Sequence, residues 1–199
     1  VMIAGGLGSF EPRKPLIENL SDYENKGVNY IVKDPEQYEG QEIVISGGGD
    51  SALDWAVYFA ERNGFVHLVH RSDRFRAHKD SVGKAFELEE AGKLKMYTFS
   101  EVKGLEGNQD LERVVIESKT EKTTINTKLW FPLFGLSPKL GPIGDWGLEI
   151  EKNAIVVDTF DYQTNRPGIF AVGDVNTYPG KLKLILCGFH EATLAVQTA

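Results

Sequence analysis

Gly47, Gly49 and Ala52 are spaced as Gly-x-Gly-x-x-Ala, directly after a short apolar run and directly before a stretch with helical spacing. Each small residue has a reason in a turn that holds a pyrophosphate. Gly47 permits the tight turn, Gly49 lets the backbone approach the phosphates, and Ala52 lets the helix pack close to the strand, with the helix N-terminal amides facing the anion. Asp50 and Ser51 lie inside the same turn, and the Ser51 hydroxyl can add a donor. Three glycines can also be no more than a turn and a helix cap; the strand before and the helix after speak for the phosphate.

The choice of dinucleotide follows from the next strand. NAD-binding folds place an acid roughly 20 residues after the glycines to hold the adenosine ribose. Here that position falls near His70, followed by Arg71, Arg74 and Arg76. Guanidinium forks match phosphate oxygens, so the cations predict NADP(H), although Asp73 and Asp80 partly neutralise the cluster.

The elements that must position these residues are legible in outline. Glu42 to Ser46 reads as a buried strand, and Asp50 to Arg62 as a helix with Leu53, Ala56, Val57 and Ala60 at spacings of three and four. Asn63-Gly64 stops that helix, and Phe65 to His70 is a second strand. Together they predict a βαβ unit of about 30 residues and a doubly wound α/β fold. Beyond it, Val82 to Ala91 reads as helix, and Lys95 to Val102, Glu112 to Ser118 and Lys122 to Asn126 as strands of an antiparallel insert. Leu129 to Phe134 is another apolar strand, Leu16 to Gly40 a polar connector, Val1 to Ala4 a short buried strand, and Glu191 to Ala199 a helix. Gly6-Leu7-Gly8 starts a second glycine pattern, but Pro12 and Pro15 leave no helix behind it, so it reads as a crossover between halves.

Composition narrows the function classes. A net charge of -7 argues against general nucleic-acid binding, and no apolar run reaches the roughly 20 residues of a membrane-spanning helix. Nothing in Val1 to Gly8 directs export, so a cytoplasmic setting is expected. The single Cys187 rules out a Cys-x-x-Cys site within these residues and reads as a small packed side chain. None of the four histidines has metal-ligand spacing to another: His67 falls inside a strand, His78 in the basic segment, and His190 either near a cofactor or at a helix cap.

Four segments in order resemble the thioredoxin-reductase-like ferredoxin–NADP reductases of the pyridine-nucleotide disulfide reductase superfamily. They are Gly47 to Trp55, His70 to His78, Leu140 to Ile143 leading to Trp146-Gly147-Leu148, and Gly168 to Asp174. The resemblance implies that His70, Arg71 and Arg76 hold the 2′-phosphate, with Ser72 standing where the family has a second arginine. It implies that Gly173-Asp174 is a second FAD signature whose acid binds the ribityl chain. Lys183-Leu184-Ile185 would run past the isoalloxazine into a helix whose N-terminus faces it. Thioredoxin reductases proper carry a Cys-x-x-Cys pair before the nucleotide-binding strand, where this chain has Val32 to Gln37 without cysteine.

The expected organisation is a Rossmann-like NADP-binding domain at residues 13–134 with an antiparallel insert, and a partial FAD-binding domain from residues 1–12 and 135–199. The expected activity is FAD-dependent electron transfer between NADPH and ferredoxin or flavodoxin, by a cytoplasmic homodimer, with no catalytic acid or base and no metal. The resemblance places the family's first FAD fingerprint before residue 1, so this stretch alone is expected to bind NADP(H) and little FAD. A non-catalytic NADPH-binding module, and a disulfide reductase with cysteines elsewhere, are the competing readings.

Overall fold

The computed structural model describes residues 1–6 and 8–199, without the side chains of Phe10 and Pro138. The chain divides into two compact units, one of Val1–Glu11 with Leu136–Ala199 and one of Pro12–Gly135. It opens with β1 (Met2–Ile3) and β2 (Ser9–Pro12). Val1 and Met2 are exposed and only Ile3 is buried, so the strand expected at the N-terminus is shorter and less buried than its apolarity suggested. The proposed crossover at Gly6-Leu7-Gly8 includes Leu7, which lies outside the described residues.

The unit Pro12–Gly135 begins with α1 (Leu20–Tyr23), followed by β3 (Glu42–Ser46), α2 (Asp50–Glu61), β4 (Phe65–Val69), α3 (Lys79–Glu90) and β5 (Leu94–Tyr97). Next come β6 (Glu101–Gly107), β7 (Leu111–Glu117), β8 (Lys122–Asn126) and β9 (Trp130–Pro132). Strands β5, β4, β3 and β9 form a parallel sheet in that order. Side chains alternate across it. Ile43 and Ile45 face the helices and pack with Leu53, Ala56, Phe59 and Ala85, whereas Val44 packs on the other face with Leu105, Leu111, Val114 and Ile116 of the antiparallel sheet β6-β7-β8. Helices α2 and α3 therefore cover one face of the parallel sheet and the antiparallel insert covers the other. Because β4 and β5 lie on one side of β3 and β9 on the other, the strand order reverses at β3, which places a crevice beyond its carboxyl end.

Two expectations about this unit are corrected. The stretch Lys95 to Val102 is two strands rather than one: β5 belongs to the parallel sheet, and the insert starts only at β6. Between them Phe99 takes a left-handed backbone (φ +51°), and the Ser100 amide donates to His70 O at 3.1 Å, which turns the chain out of the sheet. The segment expected as a polar connector also contributes to the core, through Leu20, Tyr23 and Val28 under the insert.

The other unit contains β10 (Leu136–Lys139), paired with β2, then β11 (Ile150–Glu151), β12 (Ala154–Val156), β13 (Phe170–Ala171), β14 (Asn176–Thr177) and α4 (Ile185–Thr198). β1 pairs in parallel with β13, and β11, β12 and β14 form a three-stranded sheet. The core joins Ile3, Ile155, Phe170, Ala171, Val175 and Ala195. Helix α4 starts six residues before the expected Glu191, at Ile185. His190 is exposed within that helix and caps nothing.

Candidate functional site

The turn after β3 is built from three glycines with three different constraints. Gly47 has φ +151°, and a Cβ there would lie 2.6 Å from Leu133 O and 2.8 Å from the Ala52 Cβ, so both its backbone and its surroundings require glycine. Ala52 is fully buried against it, which is the close helix-to-strand approach that a small side chain allows. A Cβ on Gly48 would lie 2.3 Å from the His70 ring. Gly49 has φ -101° and nothing within 4 Å of where a Cβ would stand, so the space beside it is open to a ligand.

Helix α2 starts with its donors free. Ala52 N and Leu53 N both donate to Gly49 O, at 3.0 and 3.2 Å, while the amides of Gly49, Asp50 and Ser51 have no acceptor among the described residues. No side chain among the described residues caps the helix. Consecutive unpaired amides at a positive helix end, next to an open glycine face, suit a pyrophosphate. The Ser51 hydroxyl is exposed at the same turn.

The segment after β4 folds back onto this turn. Gly48 O accepts from Arg76 N at 2.6 Å and from Ala77 N at 3.2 Å, and Asp50 Oδ1 accepts from His78 N at 2.7 Å. One residue set from the sequence is thereby brought together: Gly47, Gly49, Asp50, Ser51 and Ala52 with His70 and Arg76. The His70 ring stacks on Phe75 with centroids 5.0 Å apart, and its Nε2–H donates to Arg74 O at 3.1 Å. One ring nitrogen of His70 is thus engaged inside the loop. Ser72 tightens the same loop by accepting from Arg74 N at 3.3 Å. Arg71, Arg74 and Arg76 are exposed, and none has an ion pair among the described residues. Of the two acids expected to neutralise them, Asp80 instead faces His78 at 3.6 Å. The guanidinium groups are therefore available to an anion.

In the other unit, Gly173 (φ +79°) and Asp174 form a tight turn after β13. A Cβ on Gly173 would meet nothing within 4 Å, and the half-buried Asp174 carboxylate has no hydrogen bond or ion pair among the described residues. The turn is held from beneath by a fully buried carboxylate. Glu191 accepts from Gly173 N (2.7 Å), Asn176 Nδ2 (3.0 Å) and Tyr178 OH (2.9 Å), and pairs with Lys181, whose ammonium also donates to Gly173 O at 2.9 Å. Burial pushes the Glu191 carboxyl up, but Lys181, the Gly173 amide and the Tyr178 hydroxyl outweigh it and hold the group below the ordinary carboxylate range. Burial and the Glu191 charge raise the Tyr178 hydroxyl. Helix α4 crosses the turn at Gly188, where a Cβ would stand 3.3 Å from Gly173 Cα. Lys183, Leu184 and Ile185 lead into that helix and are exposed.

The family described as pyridine nucleotide-disulphide oxidoreductase matches residues 1–199 of this sequence. The chain belongs to the pyridine nucleotide-disulphide oxidoreductase family. It is 60% identical over 200 residues to a ferredoxin–NADP reductase of Flavobacterium johnsoniae, covering all of this chain and 57% of that protein. It is 46% identical over 198 residues to one from Pelagibacter ubique, covering 99% of this chain and 58% of that protein. The chain thus spans a little over half the length of these curated relatives. Among solved structures it resembles Lactococcus lactis thioredoxin reductase in the FR conformation, with TM-score 0.73 and 31% identity over 99% of this chain and 63% of the other. The thioredoxin reductase of T. acidophilum shares the fold at TM-score 0.74 and 22% identity, again over 99% of this chain and 63% of the other.

Three features of these two turns, each in its own unit, are not visible to sequence reasoning alone. In the sequence Gly48 is only a link in a motif, yet its missing side chain makes room for His70. Asp50 reads as a ligand residue of the turn, whereas its carboxylate is tied to the next helix. Glu191 and Lys181 are not singled out by any motif, although Glu191 is the sole carboxylate in α4, and a lone acid in an apolar helix that turns out buried must have partners.

Proposed function

We propose that the unit Pro12–Gly135 binds NADP(H), that the other unit supplies part of an FAD site, and that the parent protein transfers electrons between NADPH and ferredoxin or flavodoxin. The observation that carries the reading is the pairing of the amides of Gly49, Asp50 and Ser51, which have no acceptor among the described residues, with exposed arginines that have no ion pair among them and whose loop is bonded to Gly48. A pyrophosphate would sit on those amides, and Arg71 and Arg76 would hold a 2′-phosphate with the free nitrogen of His70 beside them. Gly173 and Asp174 fit a hydroxylated ligand chain, because the glycine leaves an open face and the carboxylate has unused acceptor capacity. The flavin, when bound, supplies the exchange between hydride and single-electron chemistry. The chain's own part is alignment: Lys181 and Glu191 hold the Gly173–Asp174 turn, and Gly188, lacking a side chain, lets the first turn of α4 pack against it.

The ferredoxin–NADP reductase names of the relatives, and the absence of a second cysteine from these residues, support an external electron carrier over a dithiol. A cytoplasmic homodimer is part of the same reading and is checked by sedimentation of the full-length protein. Calorimetric titration of this chain with NADPH and NADH tests the nucleotide assignment: NADPH should bind more tightly, and Arg71→Ala should remove most of the difference. Equal binding of both dinucleotides would overturn it. Ferredoxin reduction by the full-length protein, with NADPH as donor, tests the activity.

A further inference from the structure

Asp50 stands where electrostatics alone would not put a carboxylate in a phosphate site. It is the first residue of α2, its backbone amide is one of the free donors of the turn, and its side chain would add a negative charge near a bound pyrophosphate. The structure shows what the carboxylate does instead. Its Oδ1 accepts from His78 N at 2.7 Å, and one helical turn later Asp54 Oδ1 accepts from Ser81 Oγ at 2.7 Å. Spaced by four residues, the two acids lie on one face of α2 and receive the start of α3.

The tie matters because of what it closes. The loop that bears Arg71, Arg74 and Arg76 is held at its start by β4, whose Val69 O accepts from Gly47 N at 3.0 Å. At its end it is held by Gly48 O, which takes Arg76 N and Ala77 N, and by Asp50, which takes the next amide, His78 N. With both ends fastened to the glycine turn, the arginines stand at a set distance from the pyrophosphate donors. We propose that Asp50 is a positioning residue for cofactor choice: by holding the His78 amide it sets the arginine loop against the glycine turn, and so sets the preference for a 2′-phosphate over a ribose hydroxyl. The proposal rests on the NADP(H) reading of this unit.

The charge of Asp50 and its hydrogen bond have separable effects. Loss of the negative charge favours every dinucleotide alike, since all carry the pyrophosphate. Loss of the acceptor loosens only the loop that meets the 2′-phosphate. The substitution Asp50→Asn removes the charge and keeps an acceptor oxygen, so the ratio of NADPH to NADH affinity isolates the tie. The exposed position makes substitution by either alanine or asparagine compatible with folding.

Calorimetry of the chain with NADPH and with NADH, for the unaltered protein, Asp50→Ala and Asp50→Asn, tests this. In Asp50→Ala the preference for NADPH should fall on the order of tenfold, with NADH affinity no lower than before. Asp50→Asn should keep the original preference. A preference unchanged in Asp50→Ala, or lost equally in Asp50→Asn, would overturn the proposal while leaving the NADP(H) assignment standing. Equal binding of both dinucleotides by the unaltered chain would sink that assignment and the proposal with it.

Discussion

Lys181 and Glu191 form an ion pair from which water is almost wholly excluded, with side chains 6% and 0% exposed. Their burial is tolerable because the carboxylate has three further donors, from Gly173, Asn176 and Tyr178, and the ammonium has a second acceptor in Gly173 O. The pair thus grips the peptide groups of Gly173 from both sides, its N–H by the acid and its C=O by the base. A turn held this way can present Asp174 in one orientation.

Breaking the pair from the acidic side should therefore be the costlier change. Glu191→Gln leaves a buried ammonium without a counter-charge, and is expected to destabilise the protein by about 3 kcal/mol. Lys181→Met leaves a carboxylate that still has three donors and should cost less. Urea denaturation of the two variants, followed by circular dichroism, checks the order; equal costs would mean that the neutral donors contribute little. Because the Glu191 carboxyl is held below its ordinary value of 4.5, its stabilisation is present above that pH and is lost as pH falls below 4.5 through the folded value. Glu191→Gln should flatten the acid limb of the stability curve.

The glycine turn yields a paired prediction. Gly47→Ala forces a Cβ against Leu133 O and the Ala52 methyl in a backbone conformation that favours glycine, and should destabilise the unit by about 2–4 kcal/mol. Gly49→Ala meets no atom of the protein within 4 Å and has ordinary dihedrals, so its stability should be close to that of the original chain. Its methyl would instead occupy the open face, and nucleotide affinity should fall at least about tenfold. Measured unfolding midpoints and NADPH titrations of both variants separate the two roles; a Gly49→Ala chain that bound NADPH unchanged would remove this face from the site.

His67 supplies a prediction at milder pH. It lies buried on β4, with Nε2–H donating to Glu42 Oε1 at 2.9 Å and Nδ1 accepting from Tyr97 OH at 3.2 Å, so the neutral ring is satisfied at both nitrogens. Burial lowers its pKa from the ordinary 6.5, against the opposing pull of Glu42. The unfolded chain therefore binds the proton more readily, and the contribution of His67 is fully present above pH 6.5 and is lost as pH falls below it. The free energy of unfolding, measured between about pH 7.5 and pH 5, should decline more steeply for the original chain than for His67→Gln. Parallel curves would show that the proton has no differential effect at this site.

The parts of the site that were legible in the sequence are those whose cause is local. The run Glu42 to Ser46, the glycines behind it and the spacing of Leu53, Ala56, Val57 and Ala60 each express a backbone or periodic requirement within a few residues. The cations after β4 were legible for the same reason, since a cluster of arginines without a neighbouring acid at the ribose position is a property of one short segment.

Long-range contacts decided the rest. β5 and β6 could not be told apart in Lys95 to Val102, because the break lies at Phe99 and Ser100, held by His70 O rather than signalled by glycine or proline. The start of α4 has no capping side chain; it is placed by Gly188, whose lack of a side chain lets the helix approach Gly173. Asp50 reads as a member of the glycine turn until the fold brings His78, 28 residues away, onto its carboxylate. By itself the sequence determined which local turns, helices and charge clusters exist. Only the tertiary structure decided which distant amide, carboxylate or ring each would meet, because burial and hydrogen bonding act between residues that spacing along the chain does not relate.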